Sequence, residues 1–232
     1  MLKTIINYVI FSVIFLIPIM VFMFYGLKNN LHKSLIITIS CLYIFLSVIF
    51  SKISYDIFPF LIVLWNISLI SKSEKNVFRF KKFNIFKALK YGICSYIISF
   101  SVSFIYIIGL INLNFKINDQ KIINEMLELP MNKFFLMIPI IIILAPVVEE
   151  FVFRWVLYDK FLKKYFGKYG SAILSSLIFA LVHFNLKSFA VIMTLGIVNC
   201  WIITNKGYWY AVFNHLFFNC TSIIVLLLNK LG

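Results

Sequence analysis

Residues 141–155 read I-I-I-L-A-P-V-V-E-E-F-V-F-R-W, an apolar run that contains two adjacent glutamates and an arginine. Apolar residues continue on both sides, over about 134–158, which is long enough for a helix to cross the roughly 30 Å apolar core of a bilayer. A charge at the centre of such a helix costs roughly 2.5–3.5 kcal/mol on insertion scales. An ionisable residue kept there usually has a partner or a task, so this stretch bears on both the fold and the site.

The rest of the chain is equally apolar. Of its 232 residues, 62% are hydrophobic and 13% are charged, and the mean hydropathy is +1.00, which is more apolar surface than one soluble core could bury. We therefore expect an all-α, polytopic membrane protein, forming a single integral membrane domain over 1–232. About eight transmembrane helices are predicted, at 4–26, 34–50, 53–71, 91–112, 134–158, 170–186, 188–204 and 207–228. The tight joints at 51–52 and 185–187 could also be re-entrant turns.

The net charge of +14 is distributed in short clusters between the apolar runs. Such clusters meet anionic headgroups and set membrane orientation, so we predict membrane lipid and not nucleic acid as the partner of this charge. With the basic stretch 72–90 in the cytoplasm, alternation puts 14 Lys and Arg residues inside and 7 outside. The same orientation places 159–169 inside and 113–133, a predicted amphipathic segment, outside.

The two adjacent glutamates should point in different directions. Glu150 and Arg154 are four residues apart and share a helical face, whereas Glu149 is rotated by about 100° toward another neighbour. Arginine supplies a permanently charged fork that can grip a carboxylate at two points. The alternative interpretation is a purely structural ion pair that joins helices.

Two histidines also lie in apolar runs, His183 in F-A-L-V-H and His215 in F-N-H-L-F-F-N. Phe179 and His183 share one helical face, as do His215 and Asn219. A single membrane histidine more often forms an interhelical hydrogen bond than acts as a catalyst. Together with the glutamates, however, these residues would suit acid and base chemistry on a peptide.

Taken in order, E-E-x-x-x-R, F-x-x-x-H and H-x-x-x-N, with Ala145-Pro146 before the glutamates and Gly196 in the intervening helix, resemble the CPBP family. This family comprises CAAX proteases, related to type II CAAX prenyl proteases, and bacteriocin-processing and self-immunity proteins. The resemblance covers the expected catalytic core, 134–228, while 1–133 matches only as generic transmembrane helices plus the amphipathic segment. Trp155 departs from the pattern, because many relatives carry a small residue there; it could narrow the site or reorient that helix end.

The resemblance implies an intramembrane endopeptidase that acts on a membrane-associated, prenylated or peptide precursor, in a multi-pass protein of the bacterial plasma membrane. In this interpretation Glu149 and His183 activate a water, His215 and Asn219 hold the oxyanion, and Glu150 with Arg154 sets the geometry. Family members are often called metalloproteases, so a divalent metal such as zinc on Glu149, His183 and His215 is the alternative. The absence of H-E-x-x-H favours metal-free chemistry, with no cofactor required.

Two other classes of function remain open on the sequence. One is a non-catalytic bacteriocin immunity or membrane scaffold protein, in which the polar residues serve only packing. The other is a proton- or cation-coupled transporter, in which the glutamates and histidines relay protons. A pure binding protein should tolerate Glu149→Gln, a transporter should depend on an ion gradient, and a peptidase should show neither property.

Overall fold

The computed structural model describes residues 12–49, 57–72, 74, 78–80 and 83–231, and within these ranges the regular structure is entirely helical. The order is α1 (Ile17–Lys28, preceded by a π turn at Ser12–Leu16), α2 (Lys33–Ile49), α3 (Ile57–Ser71), α4 (Ile85–Asn112), α5 (Lys121–Glu128), α6 (Met131–Pro139 and its continuation to Leu162), α7 (Lys163–Leu181), α8 (Phe189–Asn205) and α9 (Tyr208–Leu231). The all-α class predicted from the sequence is confirmed. The possible joint at 51–52 and the start of the first predicted segment lie outside the described residues.

Helix α6 is irregular along its length. It is a π-helix at Ile140–Leu144, α-helical at Ala145–Glu149, and a π-helix again at Glu150–Leu162. Pro139 and Pro146 lie inside the run. Proline lacks an N–H and its ring crowds the preceding turn, so a wider turn accommodates it. Such π segments are frequent at functional sites, and here the second one begins at Glu150, directly after Glu149.

The middle of α6 is the centre of the bundle. Val148, Phe151 and Val152 are fully buried, and this helix packs against α7, α8 and α9 as well as α3. A helix buried on all sides can carry polar residues that lipid never contacts. The glutamates and Arg154 therefore lie within protein and not on a lipid-facing surface.

Two helix ends differ from the sequence prediction. Helix α4 begins at Ile85 and not near 91, because Asn84 caps it by accepting a hydrogen bond from the Lys87 backbone N–H at 3.0 Å. Between α6 and α7 the predicted loop 159–169 is largely helical, and the chain turns only at Gly167, whose φ of 63° favours glycine. A 2.9 Å ion pair between Asp159 and Lys163, one helical turn apart, supports the helix in that region.

The outer surface of the bundle is apolar. On α4, Ile93, Ile97 and Phe104 are exposed, while the opposite face presents small residues to α8 and α9. Close approach over small side chains is typical of helix packing in membranes. By length and composition, three described helical runs could cross a membrane, Ile85–Asn112, Met131–Leu181 and Tyr208–Leu231, and the other apolar helices are shorter. The number of eight crossings stays a prediction.

The segment predicted to be amphipathic forms α5. Its Met126 is buried against Phe134, Ile223 and Leu226, which belong to α6 and α9, and Lys230 donates a hydrogen bond to the Leu127 carbonyl oxygen at 2.5 Å. The amphipathic helix expected within 113–133 is therefore present, docked on the ends of two long helices. Its location outside the cell stays a prediction.

Cysteine labelling tests the predicted orientation. In a cysteine-free background, Lys87→Cys should resist a membrane-impermeant maleimide in intact cells, and Lys116→Cys should react. Both lysines are exposed, so accessibility to solvent does not separate them. Reaction of Lys87→Cys in intact cells would show that the orientation is opposite to the predicted one.

Candidate functional site

The paired glutamates stand where α6 passes from α-helix to π-helix. The Glu150 side chain is 0% exposed and the Glu149 side chain 19% exposed. The two carboxylates thus differ in access as well as in direction. Glu149 is the one that solvent or substrate can reach.

Glu150 faces Arg154, as the spacing predicts. The Nε of Arg154 lies 3.4 Å from Oε2 of Glu150, and both side chains are fully buried. Among the side chains that the structure describes, this is a single charge contact, not the two-point grip expected from the sequence. The reason is the place of the guanidinium group, which lies over the Phe179 ring with Cζ 4.3 Å from the ring centroid and so gains a cation–π contact.

His215 lies between the two carboxylates. Its Nδ1 is 2.9 Å from Oε1 of Glu150, and its Nε2 is 3.6 Å from Oε2 of Glu149. Because a carboxylate accepts, Nδ1 donates to Glu150. The rotation between adjacent helical positions therefore directs the two carboxylates to opposite nitrogens of one imidazole. A ring in this position can exchange protons with Glu149 while Glu150 orients it.

His183 is close to this group but is not on a helix. Helix α7 ends at Leu181, earlier than the predicted 186, and His183 belongs to the turn that follows. Its Nδ1 is 2.7 Å from the Phe179 carbonyl oxygen, so Nδ1 carries the proton and Nε2 is left as an acceptor. The next residue, Phe184, has φ 46°, a left-handed conformation uncommon for a bulky side chain. The chain thus reverses immediately after presenting His183.

Phe179 joins the parts of the site. Its ring contacts the edge of His183 at 4.8 Å and of His215 at 5.8 Å between centroids, on top of its contact with Arg154. Edge-to-face contacts of this kind hold rings at defined angles. The F-x-x-x-H spacing therefore places a buried aromatic spacer among the histidines and the arginine.

Asn219 contacts α6. Its Nδ2 donates to the Ile141 carbonyl oxygen at 2.8 Å. In a π turn that carbonyl would accept from the residue five positions later, which is Pro146 and has no N–H. Asn219 thus supplies the donor that the proline lacks, using one of its two amide N–H groups. This contact gives Asn219 a structural role besides the predicted oxyanion role.

Gly196 on α8 provides space beside the arginine. A Cβ at this position would lie 2.7 Å from Oγ of Ser176 and 3.1 Å from Nη2 of Arg154. Any side chain there would push α8 away from α7 or displace the guanidinium group. The glycine is explained by this close approach.

A buried amide pair, Asn199 with Asn214, was not predicted from the sequence. Asn214 donates to Oδ1 of Asn199 at 2.7 Å and to Oγ of Ser95 at 3.1 Å, joining α4, α8 and α9. Asn214 precedes His215, so this network fixes the rotation of α9 that presents the imidazole. The sequence feature that could have indicated this pair is an asparagine inside each of two apolar runs, where a buried amide needs a hydrogen-bond partner.

Trp155 packs away from the glutamates. Its ring contacts Phe151, Phe78 and Tyr25 at centroid distances of 5.0, 5.5 and 6.0 Å. The large residue therefore does not narrow the Glu–His cluster. It links α6 to α1 and to the connection between α3 and α4.

Each histidine of the alternative metal set, Glu149, His183 and His215, has one ring nitrogen already engaged. Nδ1 of His215 contacts Glu150 and Nδ1 of His183 contacts the Phe179 carbonyl oxygen, so Nε2 of each ring is the nitrogen that can contact water or an ion. Within the part of the chain that the structure describes, no three His, Cys, Asp or Glu side chains are placed to hold a metal ion. Metal-free chemistry stays a prediction from the sequence, and the side chains alone are assigned roles in the reaction.

Comparisons with known proteins add a family relation. Residues 131–221 match the sequence model described as type II CAAX prenyl endopeptidase Rce1-like. The matched range contains Glu149, Glu150 and Arg154 as well as His183, His215 and Asn219, and it covers less than half of the chain. Searches of curated proteins and of solved structures found no match. The segment that holds the whole Glu–His cluster is thus similar to the type II CAAX prenyl endopeptidases, a family of membrane proteases.

Proposed function

We propose that the protein is an intramembrane endopeptidase that hydrolyses a peptide bond of a membrane-associated or prenylated precursor. The observation that carries this proposal is the position of His215 between the carboxylates of Glu149 and Glu150, at 3.6 and 2.9 Å, inside an apolar bundle. Amide hydrolysis needs a base for water and a group that returns the proton to the leaving amine. A partly exposed carboxylate next to an imidazole supplies both.

In this mechanism Glu149 is the general base. It is the more exposed of the two carboxylates, and the Nε2 acceptor of His183 provides a second site for the attacking water. Glu149 takes a proton as the water oxygen attacks the scissile carbonyl. The proton then passes to the leaving nitrogen when the tetrahedral intermediate collapses.

Stabilisation of the oxyanion is assigned to His215 and Asn219. The two side chains lie on the same face of α9. Asn219 has a second amide N–H to donate, and His215 donates from Nε2 when both of its ring nitrogens carry protons. One preorganised donor of this type is worth roughly 3–4 kcal/mol of transition-state stabilisation. Glu150 orients His215 through Nδ1, and Arg154 compensates the charge of Glu150. These are positioning roles, because neither side chain reaches the reacting atoms.

A cleavage assay tests the proposal. The full chain, purified in detergent and incubated with a prenylated peptide, should release a shorter product detectable by mass spectrometry. Comparing the peptides of cells with and without the protein would identify the natural substrate class. If no precursor accumulates in cells that lack the protein and no peptide is cut in vitro, the proposal is wrong.

Exhaustive chelation should leave this activity intact. The expectation follows from the absence of H-E-x-x-H and from Asn219, four residues after His215, which suits an oxyanion donor better than a zinc ligand. The measurement is the cleavage rate before and after dialysis against a strong chelator, with added zinc as the control. A loss of activity that stoichiometric metal reverses would move Glu149, His183 and His215 into ligand roles.

A further inference from the structure

A groove between α1 and the junction of α6 with α7 has no role in the proposed reaction. It encloses about 420 Å³, within the range of about 300–1,000 Å³ typical of small-molecule sites. Tyr25 and Trp155 form its buried floor, and Met20 and Phe24 form an exposed apolar rim. The rim belongs to the apolar outer surface of the bundle.

One end of the groove is basic. Lys160 and Lys164 line it, and the ammonium group of Lys28 lies 5.4 Å from the centroid of the Tyr25 ring. Nζ of Lys160 is 2.6 Å from Oε2 of Glu74, and Nζ of Lys163 is 2.9 Å from Oδ1 of Asp159. Four lysines thus meet two carboxylates at this end, which leaves an excess of positive charge beside an apolar slot.

We propose that this groove binds one anionic phospholipid. The phosphate lies against Lys160 and Lys164, and an acyl chain follows the apolar slot over Trp155. The charge excess is the feature that selects an anionic headgroup, since a basic cluster at the end of an apolar segment attracts acidic lipid. In the predicted orientation this end faces the cytoplasmic leaflet.

Trp155 connects the bound lipid to the part of α6 that carries the site. Trp155 follows Arg154 in the chain, and its ring stacks on Phe151 with the ring centroids 5.0 Å apart. On the other side of the groove, Tyr25 of α1 donates a hydrogen bond to Glu74 at 3.1 Å. A lipid that fills the slot therefore joins α1 to the part of α6 that carries the ion pair. This binding does not depend on peptidase activity.

The test uses the full chain, delipidated in neutral detergent, with added dioleoyl phosphatidylglycerol or dioleoyl phosphatidylcholine. Lipid retention is measured by native mass spectrometry and stability by the thermal unfolding midpoint. Phosphatidylglycerol should be retained preferentially and should raise the midpoint, because a ligand of the folded state stabilises it. Lys164→Gln should weaken phosphatidylglycerol retention by about fivefold.

Lys168→Gln is the matched control, since it removes the same charge from an exposed lysine on the same helix that does not line the groove. It should leave retention unchanged. Val21→Phe narrows the slot without changing charge and should reduce retention of phosphatidylglycerol. This variant tests the proposal independently if Lys164→Gln folds poorly. Equal retention of the two lipids, equal effects of the two lysine variants, or displacement of phosphatidylglycerol by a farnesylated peptide would overturn the proposal.

Discussion

Replacing Glu149 by Gln is expected to lower peptide cleavage by at least ~100-fold, the lower end of the contribution of a general base, with normal abundance in the membrane. Glutamine keeps the size of the side chain and its hydrogen-bonding capacity but cannot take a proton from water. Glu149 is partly exposed and lies 3.6 Å from Nε2 of His215, so its neutralisation should leave the buried Glu150–Arg154 pair in place. The measurement is the initial rate of peptide cleavage by purified protein at matched concentration.

Glu128→Gln is the control for this variant, because Glu128 is an exposed carboxylate on α5. It should cleave at the wild-type rate. Substrate retention on immobilised Glu149→Gln protein should also equal that of the wild type, which separates lost chemistry from lost binding. Wild-type cleavage by Glu149→Gln would contradict the peptidase mechanism. A scaffold or immunity role would then account for the cluster, or a transport role if function required an ion gradient.

Helix positions were predicted well where apolar runs have clear ends. Helices α2, α8 and α9 lie within a few residues of the predicted segments, because their ends coincide with changes from apolar to polar sequence. The end of α7 was wrong by several residues, since the apolar letters continue through a turn in which Phe184 adopts a left-handed conformation. Hydropathy measures affinity for lipid, and a turn buried in protein has the same composition as a helix.

The candidate site was predictable in its local part only. Helical spacing was sufficient to place Glu150 on the face of Arg154 and to turn Glu149 away from it. Helical spacing cannot predict contacts between distant segments. These include the position of His215 between the two carboxylates and the hydrogen bond from Asn219 to the Ile141 carbonyl oxygen. The second contact depends on the wide turn beside Pro146, and a periodic pattern assumes regular helix. The Asn214–Asn199 pair was likewise missed, because neither residue stands at a motif position.

Replacing Glu150 by Gln should fail in a different way from Glu149→Gln. The new amide oxygen can still accept the hydrogen bond from Nδ1 of His215, but the charge of Arg154 is left without compensation in a fully buried place. Breaking a buried pair by removing one partner costs about 3–5 kcal/mol. We therefore expect low membrane abundance and a thermal midpoint lowered by on the order of 10 °C, together with lost cleavage.

The double variant Glu150→Gln with Arg154→Met separates charge from geometry. Methionine removes the uncompensated cation and still fills the space over the Phe179 ring, so abundance and thermal midpoint should recover most of their loss. Cleavage should recover much less, because no ion pair then anchors the side chain that orients the imidazole of His215.

Glu74→Gln is the control for this double variant. It breaks a partly exposed pair with Lys160, and the contribution of such a pair to stability is small. If the double variant is no more stable than Glu150→Gln, the buried charge of Arg154 is not what destabilises the single variant. The replacement of a charged acceptor by a neutral one at the hydrogen bond to His215 would then be the cause, and Glu150 would stabilise the bundle through α9 instead of through its own helix.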